Sequence, residues 1–261
     1  MQVDYLLKKR TNTLRLFLGL VALSLAAIFI TEFNVLTGLT SGFAAVRWAI
    51  ANFYPNEAAL TRLPSILNRL RDTILMSIAA TTTAAICATF FALLGSQTTK
   101  VNEGLRIASR GVATFFRNIP VVAWAMILLF TFGQSSLTGF LALFFGTFGF
   151  LSRVFMETFD ETSTSSMEAV TATGATYLQV IFQAVLPASM PQMISWMLYM
   201  VEVNIRDATL LGILTGSGIG FSFALFYKSM NYHAASLVVI VIVVAILAIE
   251  YLSNTVRRVI L

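Results

Sequence analysis

Residues 165–187 read SSMEAVTATGATYLQVIFQAVLP, a polar stretch set inside an otherwise apolar chain. Ser165 and Glu168 stand three apart, the spacing of a capping box, in which a hydroxyl and a carboxylate satisfy the first free amides of a helix. The helix so opened ends at Gly174, the residue type that most readily takes the left-handed turn after a helix. Thr176 and Gln179 repeat the capping spacing, and the pattern predicts a second helix reaching Leu186 and stopped by Pro187. Val180, Ile181, Ala184 and Val185 give the second helix one apolar stripe, and Met167 and Val170 give the first a smaller one. Two caps, a glycine hinge and a proline stop predict a rigid helix–glycine–helix unit suited to docking, where an ordinary connecting loop needs none of them.

The surrounding chain sets that unit in a membrane. Of 261 residues 57% are apolar and only 11% charged, against about 25% charged in a soluble domain. Several apolar runs approach the roughly 20 residues that cross a bilayer. The net charge of +5 does not indicate nucleic acid, because the basic residues sit beside apolar runs. The single cysteine, Cys87, excludes a disulfide framework and reads as a packed thiol; the single His233 excludes a histidine metal cluster. The abundant Phe and Met read as lipid-facing.

Six spans follow from the hydropathy pattern: about 14–31, 73–94, 120–133, 137–151, 192–214 and 235–252, an all-α membrane protein. The first run is too long for a signal-peptide core and is kept as a span. Residues 33–70 alternate apolar and polar groups around Pro55 and Pro64 and read as an interfacial helix plus loop, giving a first division at 1–71 and a core at 72–261. The third and fourth spans are short, so they are expected to pack inside a bundle. With six spans the termini share a side. Eleven Lys and Arg fall there and five on the other face, which places both termini in the cytoplasm and the polar loop at 153–188 with them. Arg62, Arg69 and Arg71 then mark the outer entry to the second span, and Arg257 and Arg258 belong to the basic side.

Glu168, Ala169, Gly174, Leu186 and Pro187 stand at the spacing of the EAA loop, so the stretch resembles that of type I ABC importer permeases. Val170 replaces the second alanine of that pattern and Ala184 its isoleucine. From Ala172, Thr173, Gly174 and Ala175 through Tyr199, Glu202, Asn204, Arg206, Ala208 and Thr209, the order is similar to the phosphonate/phosphite (PhnE-like) branch. Arg117 and Pro120 in FFRNIP also fit, while Thr215 and Ser217 depart from it. The resemblance implies a permease subunit for phosphonate, phosphite or a similar small phosphorus oxyanion, working by alternating access in the bacterial inner membrane, with an importer permease for another small solute, a different oxyanion or an amino acid, as the alternative. The loop would be a cytoplasmic coupling helix, with Glu168, Ala169, Thr173, Gly174, Ala175, Leu186 and Pro187 docking on an ATPase dimer. A second permease copy or paralogue and an extracytoplasmic substrate-binding protein complete the implied assembly. No G-x-x-x-x-G-K-[ST] motif occurs, so ATP and Mg²⁺ are expected on the ATPase partner and this chain is not expected to be an enzyme.

Glu202, Arg206 and Asp207 lie inside the fifth span, where each charge costs about 2.5–3.5 kcal/mol unless paired or facing water. Glu202 and Arg206 share a helical face four residues apart, the favourable order for an ion pair. They are read either as a packing pair or as a pathway lining in which Arg206 meets an oxyanion; Tyr199, Asp207 and Thr209 join the pathway set. Asn204 is grouped with them but falls on another face, suited to an interhelix hydrogen bond. Gly216, Gly218 and Gly220 read as close helix packing or an outer gate. Two other classes are weighed: an ion-coupled secondary transporter, which leaves residues 165–187 unexplained, and a non-transporting scaffold, which leaves the buried charges unexplained.

Overall fold

The computed structural model describes residues 2–32, 34–162 and 164–260. The chain forms two compact units, 1–54 and 55–261. The first contains α1 (Gln2–Ile30) and α2 (Val35–Asn52). Asn34 caps α2, its side-chain oxygen accepting from the Thr37 amide at 3.0 Å, so the helix expected within residues 33–70 is present. Residues 71 and 72, where a division is expected from the sequence, lie within one helix, Leu63–Gly95.

In the second unit α3 (Glu57–Leu60) precedes α4 (Leu63–Gly95), which carries Pro64 in its first turn, where a missing N–H costs nothing. α5 (Glu103–Asn118) and α6 (Val121–Phe132) follow, joined at 88° across Ile119 and Pro120. α7 spans Ser136–Thr162, eleven residues beyond the short fourth span read from hydropathy. Arg153 does not end it because Arg153 Nε donates to Glu157 Oε1 at 2.6 Å, one turn on. α8 (Thr164–Ala172) and α9 (Tyr177–Val180) form the hairpin. A π turn (Ile181–Val185) then leads without a break into α10 (Leu186–Thr215). α11 (Gly218–Lys228) bends 51° away, occupying what reads on sequence as a glycine-rich loop, and α12 (Tyr232–Ile260) closes the unit.

Pro187 therefore opens a helix; it does not stop one. A proline lacks the N–H that would bond the carbonyl four residues back, and its ring crowds that carbonyl. The π turn relieves both, with the Leu186 N–H reaching back five residues to the Ile181 carbonyl.

Among the described residues four helices are long and apolar enough to cross a bilayer, and six segments result when each bent pair counts as one. No strand occurs among the described residues. This is an all-α membrane protein.

The core lies where α4, α5, α7 and α10 meet, around buried Phe148, Leu151, Phe155, Met156 and Phe159. Many phenylalanines are thus core and not lipid-facing. Cys87 shows the opposite error: it is exposed on α4. α6 is too short to cross alone and packs inward through Trp124, Ala125 and Leu128. Its corner with α5 sits on Gly146 and Gly149 of α7. A Cβ at Gly149 would collide with the backbone of Phe116 and Arg117, so the small residues permit this close approach.

Candidate functional site

At one end of the bundle lies the α8–α9 hairpin. Gly174 has φ +84°, and a Cβ there would meet nothing within 4 Å; glycine is demanded by the backbone and not by space. The Thr173 and Gly174 amides bond the Val170 and Thr171 carbonyls at 3.2 and 3.0 Å, closing α8. Thr176 caps α9 as the spacing predicts: Gln179 Oε1 accepts from the Thr176 amide at 2.8 Å and from its hydroxyl at 3.0 Å. Ser165, by contrast, lies inside α8, whereas a cap residue requires non-helical backbone. Ser163, which precedes α8, lies outside the described residues.

The apolar stripe of Val180, Ile181, Ala184 and Val185 is buried, and Met167 and Val170 pack on the main core. Glu168, Ala169, Thr173, Gly174 and Pro187 are exposed; Ala175 and Leu186 turn inward against the core. The most exposed large apolar side chains here are Leu178 and Phe182, at 63% and 66%. Sequence reasoning passed over both, although their four-residue spacing marks a second face.

The hairpin is fastened to the bundle through the turn after α4. Asp160 of α7 accepts from Ser96 Oγ at 2.5 Å, from the Thr98 amide at 3.0 Å and from Thr98 Oγ1 at 3.1 Å. Arg110 of α5 meets its other oxygen at 3.4 Å and donates through Nε to the Gly95 carbonyl at 2.8 Å. From the hairpin, the Tyr177 hydroxyl donates to the Thr99 carbonyl at 2.7 Å.

α10 carries two opposed faces. Tyr199, Glu202, Arg206 and Leu210 recur at helical spacing on one. Glu202 Oε1 accepts from Arg206 Nη2 at 3.1 Å, and Arg257 Nη2 of α12 stands 4.0 Å from Glu202 Oε2. The Glu202 and Arg257 side chains are 14% and 23% exposed, that of Arg206 54%. Arg206 lies nine residues, about 14 Å, before the end of α10, in the middle of a spanning segment. On sequence Arg257 belongs only with the basic residues at the chain's end; a partner from another helix leaves no trace in local spacing. Asp207 and Thr209 flank this face, half-buried, and the Thr209 hydroxyl bonds back to the Ile205 carbonyl at 3.0 Å.

Asn204 is on the opposite face, 1% exposed. Its Nδ2 lies 2.8 Å from Thr81 Oγ1 of α4 and 2.8 Å from Thr147 Oγ1 of α7, and Thr147 Oγ1 lies 3.1 Å from its Oδ1. The interhelix hydrogen bond expected of Asn204 is present: its amide ties α10 to α4 and α7, away from the Arg206 face.

At the other end, Gly216 and Gly218 have φ +69° and +61° and make the bend between α10 and α11. A Cβ on Gly220 would collide with the Thr209 carbonyl, and one on Gly218 with the Thr73 hydroxyl. The Ile219 amide donates to that hydroxyl at 2.9 Å. Arg62 and Arg69 lie over the rings of Phe226 and Phe221 at 5.2 and 5.9 Å, joining the start of α4 to α11. A cleft of about 500 Å³ opens here between Arg69, Asp72, Met76, Ser136, Phe140 and Ser217.

The chain belongs to the family of binding-protein-dependent transport system inner membrane components, whose profile matches residues 88–260. It is 32% identical over 190 residues to the phosphate-import permease protein PhnE of Mycolicibacterium smegmatis, covering 73% of this chain and 36% of that protein. It thus spans about a third of that relative's length. The phosphite transport system permease protein PtxC of Stutzerimonas stutzeri is 27% identical, with 85% of this chain and 80% of the relative covered. Among solved structures, the inward-facing MetNI methionine ABC transporter matches with a TM-score of 0.66 at 17% identity, over 75% of this chain and 96% of that one. A bacterial ABC transporter involved in alginate import matches with a TM-score of 0.64 at 16% identity, over 92% and 94%. These two likenesses establish the fold.

Proposed function

We propose that this chain is the transmembrane permease subunit of an ATP-driven importer for a small phosphorus oxyanion such as phosphonate, phosphite or phosphate. The observation that carries the reading is Arg206. A guanidinium more than half exposed in mid-span would cost about 2.5–3.5 kcal/mol against lipid. Its face therefore meets a second permease subunit or a watery pathway between two of them. Arginine suits a phosphorus oxyanion because its planar fork matches the oxygens. The relatives named for phosphate and phosphite support the same cargo.

The α8–α9 hairpin is the piece an ATPase subunit would grip. Its exposed Leu178 and Phe182 supply apolar contact, and Glu168 and the Gly174 turn shape the tip. Its cap and its bond to Thr99 keep it rigid, so that a push on the hairpin reaches α4 and α7. In this reading the hairpin end is cytoplasmic, both termini lie on that side of the inner membrane, and ATP with Mg²⁺ belongs to the partner. A substrate-binding protein would dock at the glycine end, where Gly216, Gly218 and Gly220 form the outer gate.

The test is reconstitution of the chain with its ATPase and binding protein in vesicles. ATP-dependent uptake of methylphosphonate, phosphite or phosphate, reduced in Arg206→Ala without loss of assembly, supports the reading. Uptake that needs no ATP, or an Arg206→Ala complex that loses assembly in proportion to transport, refutes it.

A further inference from the structure

Among the described residues the donor edge of Arg257 has no hydrogen-bond acceptor. Its Nε and Nη2 are buried and make no hydrogen bond, and these are the two groups on the side of the guanidinium that can grip two oxygens at once. Glu202 Oε2 stands 4.0 Å from Nη2, beyond the 2.7–3.2 Å of a hydrogen bond. The same carboxylate gives its other oxygen to Arg206 at 3.1 Å. One acid is therefore stretched between two arginines on different helices and saturates neither. A buried charged donor without a hydrogen-bond acceptor is costly even beside a counter-charge, and the cost is relieved by an acceptor that enters from outside the chain.

We propose that Arg257 and Arg206 form a two-arginine subsite for a phosphorus oxyanion, with Glu202 holding the place of the anion until it arrives. The Arg257 edge takes two oxygens of the tetrahedral group. Arg206, half exposed on the same face, takes another after releasing Glu202. Counting Arg257 changes the local sum of Glu202, Arg206 and Asp207 from −1 to zero, so displacement of the carboxylate from the arginines leaves a cationic fork facing the anion. Because α10 and α12 each supply one arginine, the subsite opens or closes with any shift between them. The inference rests on the reading of the chain as an oxyanion permease.

The test is direct binding of methylphosphonate and of phosphite to the detergent-purified permease–ATPase complex, followed by calorimetry or ³¹P line broadening. Arg257→Gln should weaken binding about tenfold or more, the worth of charge-assisted bonds lost. Arg257→Lys, which keeps the charge and loses the fork, should weaken it nearly as much, and Glu202→Gln should tighten it. Binding unchanged in both Arg257 variants, or weakened in Glu202→Gln, overturns the subsite and leaves a structural ion triad. If Arg257→Gln does not assemble, the lysine and Glu202 variants decide the matter. Wild-type uptake of methylphosphonate with unaltered Arg257-variant binding removes only the subsite; absence of uptake of any phosphorus oxyanion by the wild type removes the proposed function itself.

Discussion

Replacing Asn204 by alanine separates the architecture of α10 from its charged face. The amide is 1% exposed and bridges Thr81 of α4 and Thr147 of α7. Interhelix polar contacts in membranes average about 0.6 kcal/mol and reach about 1.7 kcal/mol, so two of them set the expected loss at about 1–3 kcal/mol. Thr81 Oγ1 keeps its own bond to the Ser77 carbonyl at 2.8 Å, which leaves it short only of a donor. Thr147 loses the Asn204 amide, its interhelix partner among the described residues, and bears most of the cost. The assay is denaturant unfolding of the purified complex in detergent, with Arg206→Ala beside it. Asn204→Ala should lose stability in that range while Arg206→Ala, whose guanidinium is mostly exposed, should lose little and affect transport instead. A loss below about 0.5 kcal/mol for Asn204→Ala, less than one average contact, would refute the assignment of Asn204 as the bond among three helices.

Gly174→Leu forces a side chain into a backbone with φ +84°, at about 1–2 kcal/mol; ATPase activity should persist while coupled uptake falls, and unchanged uptake per ATP would contradict a docking role for the hairpin. Gly220→Ala drives a methyl into the Thr209 carbonyl, so folded yield should collapse in fluorescence-detected size exclusion; wild-type yield would show that α10 and α11 can part. Asp160→Ala strips three acceptor bonds and an ion pair from the turn after α4. About 2–3 kcal/mol should be lost, with faster proteolysis at residues 96–100 as the sign that the turn has been released.

The hairpin was legible because its signals are local: a glycine that must turn left-handed, a cap three residues long, and an apolar stripe. Pro187 misled for the same reason. A proline reads as a stop, and only the π turn before it, with its five-residue bond from Leu186 to Ile181, lets the helix run on. α7 was cut short at Arg153 because hydropathy counts a charge as a boundary, whereas the pairing with Glu157 continues the helix. The glycines at 212–220 showed that something packs closely, but not that α11 is what packs. Least legible were contacts between distant residues. Neither Asp160 with Ser96 and Arg110, nor Glu202 with Arg257, has any periodic signature, since the fold alone brings those helices together.

ATP-driven uptake remains the most direct measurement. Vesicles holding this chain with the ATPase and binding protein proposed as its partners should accumulate ³²P-labelled phosphate, or unlabelled methylphosphonate followed by ³¹P NMR, only when ATP and Mg²⁺ are supplied on the hairpin side. Deletion of residues 165–176 should abolish uptake while leaving the spans inserted. Accumulation without ATP, or undiminished uptake by the deletion variant, would contradict the permease reading.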